Sequence, residues 1–172
     1  MVSASALPAP SSRDRAILAR PRRGSGVENV TDRISNPFEM QPPCERFVPG
    51  YGDANADFHV VGDHPGVHGG LDTGVPFANA AGRRLWAALA DAGLLTTTGE
   101  RPSVAETDLS YLHLCAPTES PPPQSSYDEL EPFFDAELRA IAAHVLLPVG
   151  ARATAHVFET YTARAVAAPP DM

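Results

Sequence analysis

Residues 58–77 read FHVVGDHPGVHGGLDTGVPF, and this stretch decides the fold. Val60 and Val61 sit in a short apolar run, the pattern of a buried strand. At Gly62 the run stops and the chain enters a loop rich in Gly, Pro and His. A helix follows, led by Asn79 and carrying Gly82, Leu85, Trp86 and Leu89. Strand, polar glycine loop and helix are how open α/β sheets build a ligand site at the carboxyl end of a strand. Glycine lets backbone approach a ligand closely, and exposed N–H groups then bind its oxygens. The pattern announces a site and leaves its ligand open.

Working outward, the pattern repeats. The helix is expected over Ala80–Ala92, with Leu85, Leu89 and Ala92 on one face and Gly93 as its stop. LSYLHL, Leu109–Leu114, reads as a second core strand, followed by a Pro/Ser loop over Cys115–Ser126. Tyr127–Ala143 is helical, with Leu130, Phe133, Phe134, Leu138 and Ile141 as its apolar stripe. HVLLPV, His144–Val149, gives a third strand, and a last helix begins after Gly150 and runs over Ala151–Phe158. Strands alternating with helices predict an α/β fold, a three-layer αβα sandwich around a central parallel sheet. Upstream, residues 27–57 form an irregular lead-in broken at Asn36-Pro37 and Pro42-Pro43, with Phe38, Met40 and Phe47 pinning it to the body.

Composition bounds the function. With 172 residues the chain has the length of one domain with a substantial core. No apolar run is long enough to span a membrane, so no membrane partner is expected. The net charge is −8 and all 13 basic residues are Arg. An acidic, Lys-free surface suits a salt-rich cytoplasm or reflects a GC-rich genome, and the halophilic reading is preferred. Acidity argues against nucleic acid as partner, though less so in a halophile, where only a local patch need be basic. Cys44 and Cys115 are too few and too far apart to read as a disulfide framework or a metal quartet, and a reducing cytoplasm is the default. His59, His64 and His68 share one stretch, but His59 lies among strand residues and no paired carboxylate stands at ligand spacing, so no metal is expected.

Residues 1–26 stand apart. They carry five Arg against one acid, Asp14, and little periodicity. They read as a disordered basic arm, with a DNA- or RNA-touching arm as the alternative. Taking them from the chain's 13 basic and 21 acidic residues leaves 8 against 20, so residues 27–172, the domain, are more acidic still.

These residues carry a resemblance. VPGYGDANADFHVVGDHPG, then TGVPF, then AGRRLWAALADAGL, resembles the uracil-DNA glycosylase superfamily, above all its thermostable iron–sulfur branch with VPGxG, VGExPG and TGxPFxGxAGxxL. LSYLHLCAP and LRAIAAHVLLPVGARAT resemble later parts of the same layout, so the likeness spans Val48–Phe158. It implies a domain that flips a base out of DNA and hydrolyses its bond to the sugar, for base-excision repair. DNA containing uracil or a damaged base is the implied partner, and no obligate protein partner is evident. Asp63 holds the position of the family's loop carboxylate, to orient water or stabilise the cationic sugar; the alternative is a loop carboxylate that caps neighbouring N–H groups. His64 is expected to donate to a base oxygen or phosphate, or only to cap the turn. Backbone from Gly62 through Pro65 and Gly66, with His68 and Asn79, completes the expected binding surface. Phe77 matches an aromatic that stacks on the base, with ordinary core packing as its alternative.

The departures are specific. Cys115 matches one cluster ligand, Cys44 is out of register with the early pair, and the fourth position falls among Leu130 and Phe133, so no cluster and no other cofactor is expected. Where the branch has Asn, four residues before the matched Cys, this chain has Tyr111. The second signature, a His-Pro-Ser-like loop, is missing, and the domain is read as lacking its C-terminal part. Two other readings stay open: a catalytically degenerate DNA- or nucleobase-binding module of the same fold, and a nucleotide-binding α/β protein using Gly62–Gly70 as a phosphate loop. Because residues 1–26 lack an apolar stripe, deleting them is expected to leave the melting temperature unchanged within error, as thermal denaturation of the shortened chain checks; a large loss would mean that the arm packs.

Overall fold

The computed structural model describes residues 40–97 and 99–162, so the basic arm and Phe38 lie outside the described residues. Within them the chain runs β1 (Tyr51–Gly52), β2 (Phe58–Gly62), α1 (Pro65–His68), α2 (Ala80–Asp91), β3 (Thr107–Tyr111), α3 (Gln124–Ile141), β4 (Val145–Pro148) and α4 (Ala151–Tyr161). The sheet order is β1-β3-β2-β4. β2 pairs in parallel with both β3 and β4, as the alternating pattern requires. β1 adds a short antiparallel edge on β3. The architecture is α/β, a mixed four-stranded sheet flanked by helices.

Alternation along the strands sorts the two faces. Val60, Leu109 and Tyr111 pack with Trp86 and Leu89 of α2. Val61 and Leu112 pack with Tyr127 and Phe134 of α3 and Ala153 of α4. Burying such side chains stabilises by about 1.5–3 kcal/mol each, which is what holds the helices to the sheet. β3 starts two residues earlier than its apolar run suggests, because Thr107 and Asp108, polar yet fully buried, pair with Phe58 and His59. α3 also starts earlier, at Gln124, and runs through Pro132 to a left-handed Ala142.

The lead-in is more ordered than its composition suggests. Val48 N–H donates to Leu114 O, Ala116 N–H donates to Arg46 O, and Phe47 bridges Cys115 in antiparallel fashion. This strip lays residues 46–48 along the tail of β3. It also corrects the cysteine reading: Cys44 and Cys115, 71 residues apart in sequence, have Cα atoms 6.1 Å apart and form a disulfide. Sequence distance was a poor guide because the lead-in folds back as a ladder rather than a loop.

The α3 face hides a polar cluster. His59 Nε2 lies 2.7 Å from Ser110 Oγ, 3.6 Å from Asp108 Oδ1 and 4.0 Å from Glu137 Oε2. Neither oxygen of Asp108 has a hydrogen-bond partner among the described residues. Burial pushes Asp108 well above the carboxylate range, helped by Glu137 and Asp53; burial pushes Glu137 up to about 7 and His59 down to about 4. The sign follows from linkage. A carboxyl with a raised folded pKa contributes stability that is full below its unfolded pKa and is lost as pH rises towards 7. His59 acts oppositely, and only between about 4 and 6.5. In Glu137→Gln the carboxyl slope is gone, so its melting temperature should gain on the parent by a few °C between pH 5 and 8, at ~3 °C per kcal/mol for a domain of this size. Parallel Tm–pH curves for the two proteins would contradict the assignment.

Candidate active site

β2 ends at Gly62, and the chain turns through Asp63 and His64 into the single turn α1. His64 is the N-cap of α1: Gly66 N–H donates to its Nδ1 at 3.1 Å. That bond fixes the tautomer. Nδ1 must offer its lone pair, so the proton of the neutral ring sits on Nε2, and His64 presents an N–H donor there. Val67 and His68 N–H both return to His64 O. The loop amides expected to meet ligand oxygens are therefore partly used: those of Gly66, Val67 and His68 are committed within the turn.

Asp63 is half-buried and accepts a hydrogen bond from the Tyr127 hydroxyl in the first turns of α3. Arg152, from the start of α4, lies over the Tyr127 ring at 4.2 Å and donates to Gln124 Oε1 at 3.0 Å. His113, just past β3, packs edge-on against Tyr127 with ring centroids 5.1 Å apart and lies 6.3 Å from the His64 ring. Its Nδ1–H donates to Cys115 O at 3.1 Å, which leaves Nε2 to accept from Ser126 Oγ at 2.6 Å. Its own N–H donates to Asp63 O, so the two residues leave the sheet side by side.

The electrostatics are consistent. Burial holds the His64 ring below the ordinary imidazole range, Asp63 pulls it back up, and His113 and Arg152 push it further down. Burial likewise lowers His113, opposed by the Cys115 carbonyl and Asp63. Burial, and then the Asp63 acceptor, raise Tyr127. The result is one carboxylate flanked by neutral imidazoles, a phenol and a guanidinium at the open end of parallel strands. Chemically, such a set can hold a water molecule, balance a developing cation and donate to a developing anion.

The rest of the loop is aromatic. Phe77 has no exposed surface and adopts φ 61°, a left-handed conformation costly for a residue with a side chain. Its N–H donates to Tyr111 Oη at 2.6 Å, and that hydroxyl donates to Gly69 O at 2.9 Å. His68 stacks on Tyr111 at 5.9 Å and 14°, and tilts against Phe77 at 5.2 Å. Asn79 caps α2 through Oδ1 from Gly82 N–H at 2.8 Å, and its Nδ2 donates to Val67 O at 2.6 Å. A Cβ on Gly82 would lie 2.0 Å from Phe77 O, so only glycine lets α2 close on the turn.

Of the residues expected from sequence, Gly62, Asp63, His64, Pro65, Gly66 and His68 share this loop, and Phe77 and Asn79 close its other end. His59 lies elsewhere, on the α3 face. His113, Ser126, Tyr127 and Arg152 were not anticipated; the available signal was position, since each follows a strand end or opens a helix. Among the described residues no group of three or more His, Cys, Asp or Glu stands where it would hold a metal ion. An iron–sulfur cluster does not fit, because Cys44 and Cys115 are bonded to each other and there is no free cysteine among the described residues.

A mixed α/β sheet with polar side chains gathered beyond the ends of its parallel strands has the layout of a ligand site. Sequence comparison narrows the class. The family described as "Uracil DNA glycosylase superfamily" matches residues 49–169, and the chain belongs to it. Among curated proteins it is similar to the Type-5 uracil-DNA glycosylase of Mycobacterium leprae, 29% identical over 133 residues, covering 74% of this chain and 58% of that one. The protein of the same name from Mycobacterium bovis is 30% identical over 133 residues, covering 74% and 50%. That from Thermus thermophilus is 34% identical over 106 residues, covering 61% and 48%. The chain thus spans about half the length of the curated relatives it matches.

Asn79→Ala separates a structural from a ligand-facing role. Losing the cap and the bond to Val67 O should destabilise the domain by about 1–2 kcal/mol in urea unfolding. An unchanged midpoint would return Asn79 to the ligand-facing set.

Proposed function

We propose that the domain is a uracil-DNA glycosylase that hydrolyses the N-glycosidic bond of uracil in DNA. The observation that carries this reading is Asp63, which the Tyr127 hydroxyl holds beside His64 and His113 where β2 and β3 open. In the reaction the bond from C1′ to the base nitrogen breaks and its electron pair leaves with uracil as an anion. A water oxygen bonds C1′, and its proton passes to Asp63 or to solvent. Asp63 balances the cationic sugar and orients the water. His64 Nε2–H, fixed as a donor by the Gly66 amide, suits an oxygen of the departing base. Arg152 is placed to meet a flanking phosphate, and in salt-rich surroundings the acidic remainder of the surface repels DNA little, since screening shortens to ~3 Å at 1 M. A halophilic setting goes with this reading, and a cytoplasmic one requires the Cys44–Cys115 bond to persist against cytosolic reduction. No helix among the described residues is long and apolar enough to cross a membrane.

The second reading is a base- or DNA-binding module without turnover, in which Asp63 only holds the loop through its bond from the Tyr127 hydroxyl. Single-turnover release of uracil from a uracil-containing oligonucleotide in molar salt separates the two. Asp63→Asn should lower the rate by about 10²–10⁴-fold while leaving DNA binding in place. Full activity in Asp63→Asn would remove Asp63 from the mechanism, and no release by the parent would favour the binding module.

A further inference from the structure

We infer that Tyr111 is the residue that decides whether a base enters this site. Its ring is in the way. Gly62 and Tyr111 are partners in the parallel ladder, and both aromatic rings of the site close over Gly62. A Cβ on Gly62 would meet Phe77 Cε1 at 2.7 Å and Tyr111 Cδ1 at 2.9 Å. The Phe77 and Tyr111 rings lie 5.3 Å apart at 61°, and the His68 ring packs against both. Tyr111 is 2% exposed and Phe77 0%, so a planar base cannot reach the Phe77 ring while Tyr111 keeps this position.

The hydroxyl latches the ring. It accepts from Phe77 N–H and donates to Gly69 O, tying the strained Phe77 backbone to the glycine loop. A neutral phenol serves here, and burial raises its pKa, so the latch keeps its proton. Tyr111 also lines a cavity of about 330 Å³ together with Val48, Leu114 and Phe133. The inference rests on the glycosylase reading for the identity of the ligand, a flipped pyrimidine. It goes beyond that reading in making the Tyr111 ring the limit on binding.

When the competent state is a minor one, apparent affinity falls by its population. Minor states of 0.1–10% are usual, so releasing the ring should tighten binding of free uracil by ~10- to 1000-fold. The experiment measures uracil binding calorimetrically, and uracil release from a single-stranded oligonucleotide, for the full chain and for Tyr111→Ala, Tyr111→Phe and His68→Ala. Tyr111→Ala should bind most tightly. Tyr111→Phe, which keeps the ring and loses the latch, should gain less, and it remains informative if the Ala variant fails to fold. Folded Tyr111 variants that bind uracil no better than the parent would overturn the inference, even if the parent releases uracil. Tighter binding without release by any variant would keep the gate and refute the glycosylase reading. Tighter binding with faster release supports both.

Discussion

The register of β2 against β3 is the constraint on which the rest depends. His59 pairs with Asp108, Val60 with Leu109, Val61 with Ser110 and Gly62 with Tyr111. A slip of one residue would exchange the two faces of β3, sending Leu109 and Tyr111 to α3 and the buried carboxyl of Asp108 into the α2 core. The ladder also continues past the strands, through Leu112 N–H to Gly62 O and His113 N–H to Asp63 O. Two side chains of opposite function, a carboxylate and an imidazole, are thereby delivered to one point without any contact between them being required. Everything at the site is then added from the helices: Tyr127 from α3, Arg152 from α4 and the Asn79 cap from α2.

The same residue types build two clusters with opposite character. On the α3 face, His59, Asp108 and Glu137 meet in the core, and the Asp108 carboxyl has no donor to either oxygen among the described residues. Burying a carboxylate without a donor is costly, so Asp108 keeps its proton, while Glu137 gives up its own only as pH rises towards 7. At the strand ends, Asp63 has a phenolic donor, an exit to solvent and a guanidinium one ring away. The distinction is set by position along the strand. His59 and Asp108, in the middle of β2 and β3, lie in the core, whereas Asp63, past the end of β2, is half-buried.

Much of this was legible in the sequence, and the exceptions share a cause. Apolar runs around Val60, Leu109 and Leu146 mark the three parallel strands, and the stripe through Leu130, Phe134 and Ile141 marks α3. Thr107 and Asp108 hide the start of β3 because apolar periodicity cannot see a polar residue buried by its partners. The lead-in ladder and the Cys44–Cys115 pairing escape for a related reason: both are long-range contacts with no local pattern. The loop from Gly62 to Asn79 announced a site, yet His113 and Tyr127 look unremarkable in sequence, since what recruits them is the end of a strand and the first turns of a helix. Asn79 shows the reverse. Its place beside the loop suggested a ligand, while its two side-chain bonds are spent on Gly82 and Val67.

The glycines of the loop connect the packing to the proposed chemistry. Gly62 is the floor on which Phe77 and Tyr111 rest, and any Cβ there would collide with both rings. Gly82 lets the α2 backbone approach Phe77 O, which holds the Phe77 turn in its left-handed conformation. A floor without a Cβ below an aromatic wall is also the shape a planar base needs, because it allows a ring to lie flat against backbone on one side and a π-face on the other. On the proposed glycosylase reading, the place a base would take is filled by a side chain of the domain's own, Tyr111. Packing energy and ligand affinity are then in direct competition at Tyr111: each interaction that seats its ring, the latch to Gly69 and Phe77 and the stack with His68, stabilises the empty domain and weakens any base that must displace it.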